Sequence, residues 1–169
     1  MADLQNVKDD FVAQWGALGS QWGINRTMAM IHAHMLVSLE PQTTDDVMEK
    51  LQISRGNANT NLRELVSWGL VRSVLVKGKR KEFFEAEKDV WKIFCIVARE
   101  RKRRETEPAS LVLADCIDRA KTVKSKESKA FQQQLRELND FVSLANTVME
   151  KIASKEQNSI VPKLLKLLS

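Results

Sequence analysis

Two stretches of this chain carry side chains suited to hydrogen bonding and to neutralising an anion. The first runs from Ser54 to Trp68. Projected at roughly 100° per residue, it gathers Ala58, Leu62, Leu65 and Val66 on one face and Gly56, Thr60, Arg63, Glu64 and Ser67 on the other, with Asn57 and Asn59 at the edges. Such a mixture of donors and acceptors can read base edges, because the major groove displays both. Ser54, Arg55, Gly56 and Asn57 stand at the start of this run, where free N–H groups attract phosphate and Gly56 permits close backbone approach. The second stretch is Lys77-Gly78-Lys79-Arg80-Lys81, four cations in five residues around a glycine. It is suited to lie along a phosphate backbone or to reach into a minor groove. Taken singly, an ordinary exposed helix face and a solvated turn are the plainer readings; taken together, they favour a nucleic-acid surface.

These residues need elements to hold them. Val7, Phe11, Trp15 and Leu18 share one face of a first helix from about Leu4 to Gly19. A second helix is expected over Asn25 to Ser38, ending before the loop Glu40-Pro41-Gln42. Thr43 or Thr44 then caps a short helix with Asp45 and Asp46 in its first turn, where the dipole favours negative charge, and it stops near Gln52. Ser54 caps the next helix and Gly69 closes it. Two helices joined this tightly form a helix-turn-helix. The period then changes: Val71, Ser73 and Leu75, and after the basic turn Phe83 and Glu85, alternate with Arg72, Val74, Val76, Glu82 and Phe84, as two strands would. The basic hairpin is a wing.

Beyond it, a helix is expected from about Lys88 into the basic run Arg99 to Arg104, interrupted by Pro108. Another follows from Pro108 to about Thr122, then a polar linker from Lys124 to Lys129. In the last long helix Phe131, Leu135, Leu138, Val142, Ala145, Met149 and Ile152 recur at spacings of four and three, a heptad seam. Phe141, Leu144 and Val148 widen the stripe beyond what one partner helix covers, so the helix should pack on its own chain and on a second copy. A final amphipathic segment spans Ile160 to Leu168.

Charge supports the same surface. The formal charge is +5, with 15 Lys and Arg against 9 Asp and Glu in residues 43–104, and 12 against 13 in the two flanks combined. The excess sits where the helix-turn-helix and wing are expected, which favours an anionic partner. Nothing resembles a secretory signal or a membrane span, and two cysteines fit a reducing compartment, so the expected location is the cytoplasm, without membrane contact. No glycine-rich phosphate loop or nucleophile-base pairing is evident, so no enzyme and no cofactor are expected. His32 and His34 lie two apart on different helix faces, which argues against a metal site. Cys95 and Cys116 lie in apolar stretches and read as small hydrophobes; a redox switch is the lesser alternative. Trp15, Trp22, Trp68 and Trp91 read as core residues, although aromatic faces could cage a cationic ligand.

The run Ile53-Ser54-Arg55-Gly56-Asn57-Ala58-Asn59-Thr60-Asn61-Leu62-Arg63-Glu64-Leu65 continues through Trp68-Gly69-Leu70-Val71, Gly78-Lys79-Arg80-Lys81 and Phe84-Glu85-Ala86-Glu87-Lys88-Asp89-Val90-Trp91. Over roughly residues 4 to 100 it resembles the MarR superfamily of regulators, in particular its GbsR branch. The resemblance implies a dimeric winged helix that tunes or represses nearby genes, with terminal helices forming the dimer interface. Some members of the branch sense choline, which implies a small-molecule effector, of unspecified identity here.

The fold expected is therefore mainly α with a small β wing: a winged helix-turn-helix plus a helical dimerisation module. Residues 1–24 form an N-terminal dimerisation helix, 25–90 the DNA-binding domain and 91–169 a helical linker and dimerisation region. Candidate contacts to double-stranded DNA are Thr44, Ser54, Arg55, Gly56, Asn57, Asn59, Thr60, Arg63, Ser67, Lys77, Lys79, Arg80 and Lys81. Candidate homodimer contacts are Phe11, Trp15, Leu135, Leu138, Val142, Ala145, Met149 and Ile152. The rival reading is a winged helix that binds another protein and never DNA.

Overall fold

A computed structural model of the chain describes residues 3–154; the segment Ile160 to Leu168 lies outside them. The described residues form two compact units, which divide between Val90 and Trp91.

In the first unit, α1 (Leu4–Gln21) packs along α2 (Arg26–Val37), and α2 packs on α4 (Arg55–Trp68), which follows the short α3 (Thr44–Leu51). Strands β1 (Val71–Val74) and β2 (Phe83–Ala86) pair antiparallel, with Val71 opposite Ala86 and Ser73 opposite Phe84. β1 stops at Val74, so Leu75 lies beyond it in the wing and is fully exposed. Gln42 is not plain loop: it bridges to Phe84, each backbone N–H donating to the other's carbonyl at 2.9 and 2.8 Å. The core comprises Ile31 and Met35 of α2, Val47 of α3, Leu62 and Leu65 of α4, and Phe84, all with less than 3% of their surface exposed.

Local chemistry sets these boundaries. The Asn25 side chain accepts from the Met28 N–H at 3.1 Å to open α2. Thr43, not Thr44, caps α3: its Oγ1 accepts from the Asp46 N–H, while Asp46 accepts from the Thr43 N–H at 2.7 Å, a reciprocal box. Gln52, at φ 52°, turns the chain out of α3, and Gly69, at φ 86°, turns it out of α4. The helix expected from Lys88 starts at Val90, with the Glu87 carboxylate accepting from the Lys88 and Asp89 N–H groups at 2.9 Å; the Lys88 Nζ donates to the carbonyls of Met35, Leu36 and Ser38 at 2.7–2.8 Å, satisfying groups at the end of α2.

Gly16 and Gly19 let α1 approach α2 closely. A Cβ on Gly19 would lie 2.5 Å from the Ala29 Cβ, whereas one on Gly16 would meet the Met30 Cγ at 2.4 Å. Met30 can swing aside; Ala29 cannot. Gly19→Ala should therefore destabilise the protein by about 1–3 kcal/mol through overpacking, even after the roughly 1 kcal/mol gain in helix propensity. Gly16→Ala should cost less, because Met30 can change its rotamer whereas the Ala29 Cβ is fixed to the backbone. Urea midpoints at unchanged m-value test the ordering of the two.

His32 is buried in α2 and its Nε2 finds no hydrogen-bond partner. Burial, with a smaller contribution from the Lys88 charge, pushes its pKa down to about 4. The folded state therefore resists the proton that the unfolded chain accepts near pH 6.5. His32 stabilises fully above that pH, and its contribution falls as pH drops towards 4, by a total on the order of 3 kcal/mol. Urea unfolding at pH 7 and pH 4.5 should show this loss, and His32→Leu should show less of it.

In the second unit, α5 (Val90–Arg101) runs through a π-helical turn, Lys102–Thr106, into α6 (Glu107–Ala120), which pairs with α7 (Lys126–Ala153). Pro108 does not interrupt the helix as expected. The Glu107 N–H bonds to the Lys102 carbonyl five residues back, and this wide turn leaves Pro108 in the first turn of α6, where its missing N–H is no loss. The polar linker is also shorter than expected. Ser125 accepts from the Ser128 N–H at 2.9 Å and so starts α7 at Lys126.

Candidate nucleic-acid interface

The helix-turn-helix places α4 with Ala58, Asn61, Leu62 and Leu65 inward and Arg55, Gly56, Asn57, Asn59, Thr60, Arg63 and Ser67 exposed. Asn61 shares the inward arc with Ala58 and Leu65, but its polar side chain hides it from a hydrophobic pattern. It is tolerated because its Nδ2 donates to the Asn57 backbone carbonyl and to Asn57 Oδ1, at 2.8 and 2.7 Å. Not every outer residue is equally available. Asn57 is further engaged with the Thr27 hydroxyl at 3.5 Å, and the Ser67 hydroxyl donates to the Glu64 carbonyl at 2.8 Å. Asn59 and Thr60 are exposed and make no side-chain hydrogen bond among the described residues. Ser54 is exposed while capping α4, and Thr44 is half-buried in the first turn of α3. A side chain at Gly56 would meet open space, so nothing in the protein obstructs approach there.

Two carboxylates that sequence reasoning missed organise the cations. Asp45 of α3 accepts from Arg55, at the start of α4, and from Lys81 of the wing, the latter at 2.9 Å. Glu82, the next residue after Lys81, grips Arg63 through two parallel hydrogen bonds of 2.9 and 2.5 Å. The Arg63 guanidinium also lies over the Phe84 ring, 5.5 Å from its centroid. Lys81 first, and Arg55 with it, hold the Asp45 carboxyl below the usual range, and Arg63 does the same to Glu82. In return the Lys81 and Arg63 pKa values are raised. Lys77, Lys79 and Arg80 are exposed and form no ion pair among the described residues. The wing is thus anchored at its base and bare at its tip.

Other candidate positions lie elsewhere. Phe11 and Trp15 are half-buried on α1, their rings 5.5 Å apart, and Trp22 meets Trp15 edge-on at 5.8 Å. Trp68 donates to Glu64 at 3.0 Å, and Trp91 packs on Phe94. On α7, Leu135, Val142, Ala145, Met149 and Ile152 are half-buried and Leu138 is exposed. The face of α7 towards α6 is partly polar. Ser128 and Gln132 donate to the Ala120 carbonyl at 2.8 and 3.0 Å, and Asn146 bonds to Thr106 and Ser110. Phe131, Phe141, Leu144 and Val148 stay exposed, Phe141 at 68%. Among the described residues there is no group of three His, Cys, Asp or Glu able to hold a metal, and no helix long and apolar enough to cross a membrane.

No family model matches the chain. It is 30% identical over 93 residues to the HTH-type transcriptional repressor GbsR of Bacillus subtilis, a match covering 55% of this chain and about half, 51%, of that protein's length. It is 24% identical over 152 residues to the HTH-type transcriptional regulator MmpR5 of Mycobacterium tuberculosis, covering 89% of this chain and 87% of that one. A solved structure described as a transcriptional regulator superposes with a TM-score of 0.69 at 21% identity, over 89% of this chain and 97% of the other. These relatives are regulators and not enzymes, and the mainly helical fold with one two-stranded wing is that of a winged helix-turn-helix regulator.

Proposed function

We propose that this chain is a sequence-specific DNA-binding transcriptional repressor of the MarR superfamily, GbsR-type branch, acting as a homodimer in the cytoplasm. The carrying observation is the exposed face of α4, with Arg55, Asn59, Thr60 and Arg63 outward, beside a wing that presents Lys77, Lys79 and Arg80. The helix suits the major groove and the wing the flanking backbone. The regulator relatives support the same reading. In it, residues 25–90 contact DNA, while residues 1–24 and 91–169 join the protomers.

A second copy accounts for the apolar surface of α7. Its own α6 meets Ser128, Gln132 and Asn146, whereas Phe131, Leu138, Phe141, Leu144 and Val148 remain exposed over four turns and more. A seam of that length needs burial. Two recognition helices would then read half-sites about one DNA turn apart, and a small-molecule effector would act by altering that separation. A protein that scatters light as a monomer at micromolar concentration sinks the dimer.

The direct test is fluorescence anisotropy of labelled duplex from the gene's own upstream region, against scrambled competitor and across a salt series. Tight, competitor-resistant binding with a log-log salt slope of about −0.9 per contacted phosphate is expected. Absence of binding at low salt turns the reading to a protein-interaction winged helix.

A further inference from the structure

The cations of this surface fall into two classes. Arg55, Lys81 and Arg63 are neutralised by Asp45 and Glu82, which lie among them, whereas Lys77, Lys79 and Arg80 pair with no carboxylate among the described residues. The pairs span elements: Asp45 joins α3, α4 and the wing, and Glu82 joins the wing to the middle of α4. All are solvent-exposed, with Arg55 and Lys81 each showing 67% of their side-chain surface, so none is needed to bury a charge. Exposed pairs of this kind contribute little to stability and are readily exchanged for another anion. A carboxylate accepting two parallel bonds from a guanidinium presents the same acceptor geometry as a phosphate or a guanine edge.

Resting on the DNA-binding reading above, we propose that Asp45 and Glu82 are specificity-determining positioning residues: they occupy Arg55, Lys81 and Arg63 so that non-specific duplex meets only the wing tip. A non-specific backbone must displace these carboxylates and then approach them as uncompensated like charges. An operator that offers base-edge acceptors to Arg63 and a fitted backbone to Arg55 and Lys81 repays that exchange. Removing a carboxylate while keeping its shape therefore releases a cation to any sequence. The gain appears in non-specific affinity, and discrimination falls.

The test uses the full chain and a labelled duplex of random sequence, titrated across a salt series for the wild type, Glu82→Gln, Asp45→Asn and Glu82→Gln with Arg63→Gln. Glu82→Gln should steepen the log-log salt slope by about 0.9, and Asp45→Asn by up to about 1.8. At roughly 50 mM salt, affinity for random duplex should rise about tenfold per released cation. Adding Arg63→Gln to Glu82→Gln should restore the wild-type slope, a reversal that mere loosening of the wing would not give. Circular-dichroism melts confirm that each variant is folded, and Glu82→Gln carries the test if Asp45→Asn, in the first turn of α3, is not. Binding by wild type and variants with equal slopes overturns this proposal alone. No binding by any of them at low salt overturns the DNA-binding reading, and this proposal with it.

Discussion

Phe84→Ala should cost about 3–5 kcal/mol of folding stability, much of what a domain of this size has. Phe84 has no exposed surface and is among the largest fully buried side chains. It sits where three pieces of chain meet: its backbone pairs with Gln42 on one side and Ser73 on the other, and its ring underlies Arg63 of α4. Truncation leaves a cavity that neither the two-stranded sheet nor α4 can close without shifting the other. Phe84→Leu, which keeps most of the volume, should cost less than about 1.5 kcal/mol. Equilibrium urea unfolding followed by circular dichroism separates the two. Equal, small losses from both variants would show that the site collapses around the missing ring.

Arg63→Ala should lower affinity for an operator duplex by about 10- to 100-fold, the 1–3 kcal/mol of a bidentate base contact. Its effect on stability should stay below about 1 kcal/mol, because its pair with Glu82 is exposed on both sides. Arg63→Lys should rescue little, since an ammonium cannot reproduce the two parallel donors. The competitor distinguishes the roles. Loss confined to the operator marks a base contact, whereas an equal loss on every sequence, with a salt slope shallower by about 0.9, marks a phosphate contact and contradicts the role given to Arg63 here.

What could be read from the sequence was local. Ser54 and Gly69 act on groups within a few residues, so the ends of α4 follow from residue type. The wing followed from a change of period around a glycine turn. The arrangement of its charges did not, because Lys81 and Asp45 lie 36 residues apart and Arg63 and Glu82 lie 19 apart. Periodicity marks which residues point outward but not which of them meet. The one hint was an acid, Glu82, directly after the four cations of a turn expected to be basic. The same limit applies to α7, where a stripe wider than one seam left open which positions α6 would cover. α6 meets Ser128, Gln132 and Asn146, polar residues that a hydrophobic pattern passes over. Pro108 misled for a different reason. Its effect on a helix depends on hydrogen-bond register, and the π turn before it is not encoded in any single residue type.

That π turn gives the joint between α5 and α6 an unusual relation to chain length. A π turn holds one residue more than the α turn it replaces, and the helices on either side keep the phase of an unbroken α-helix. Deleting a single residue between Lys102 and Thr106 would turn the bulge into ordinary helix with Ser110 still facing Asn146, but it would leave Pro108 inside an unbroken α-helix, at a cost of about 3 kcal/mol. The same deletion made one turn into α6 would swing every later residue by roughly 100° and turn its inward face away from α7. Along this helix, the extra residue of the π turn keeps α5 and α6 in phase while letting a proline follow it.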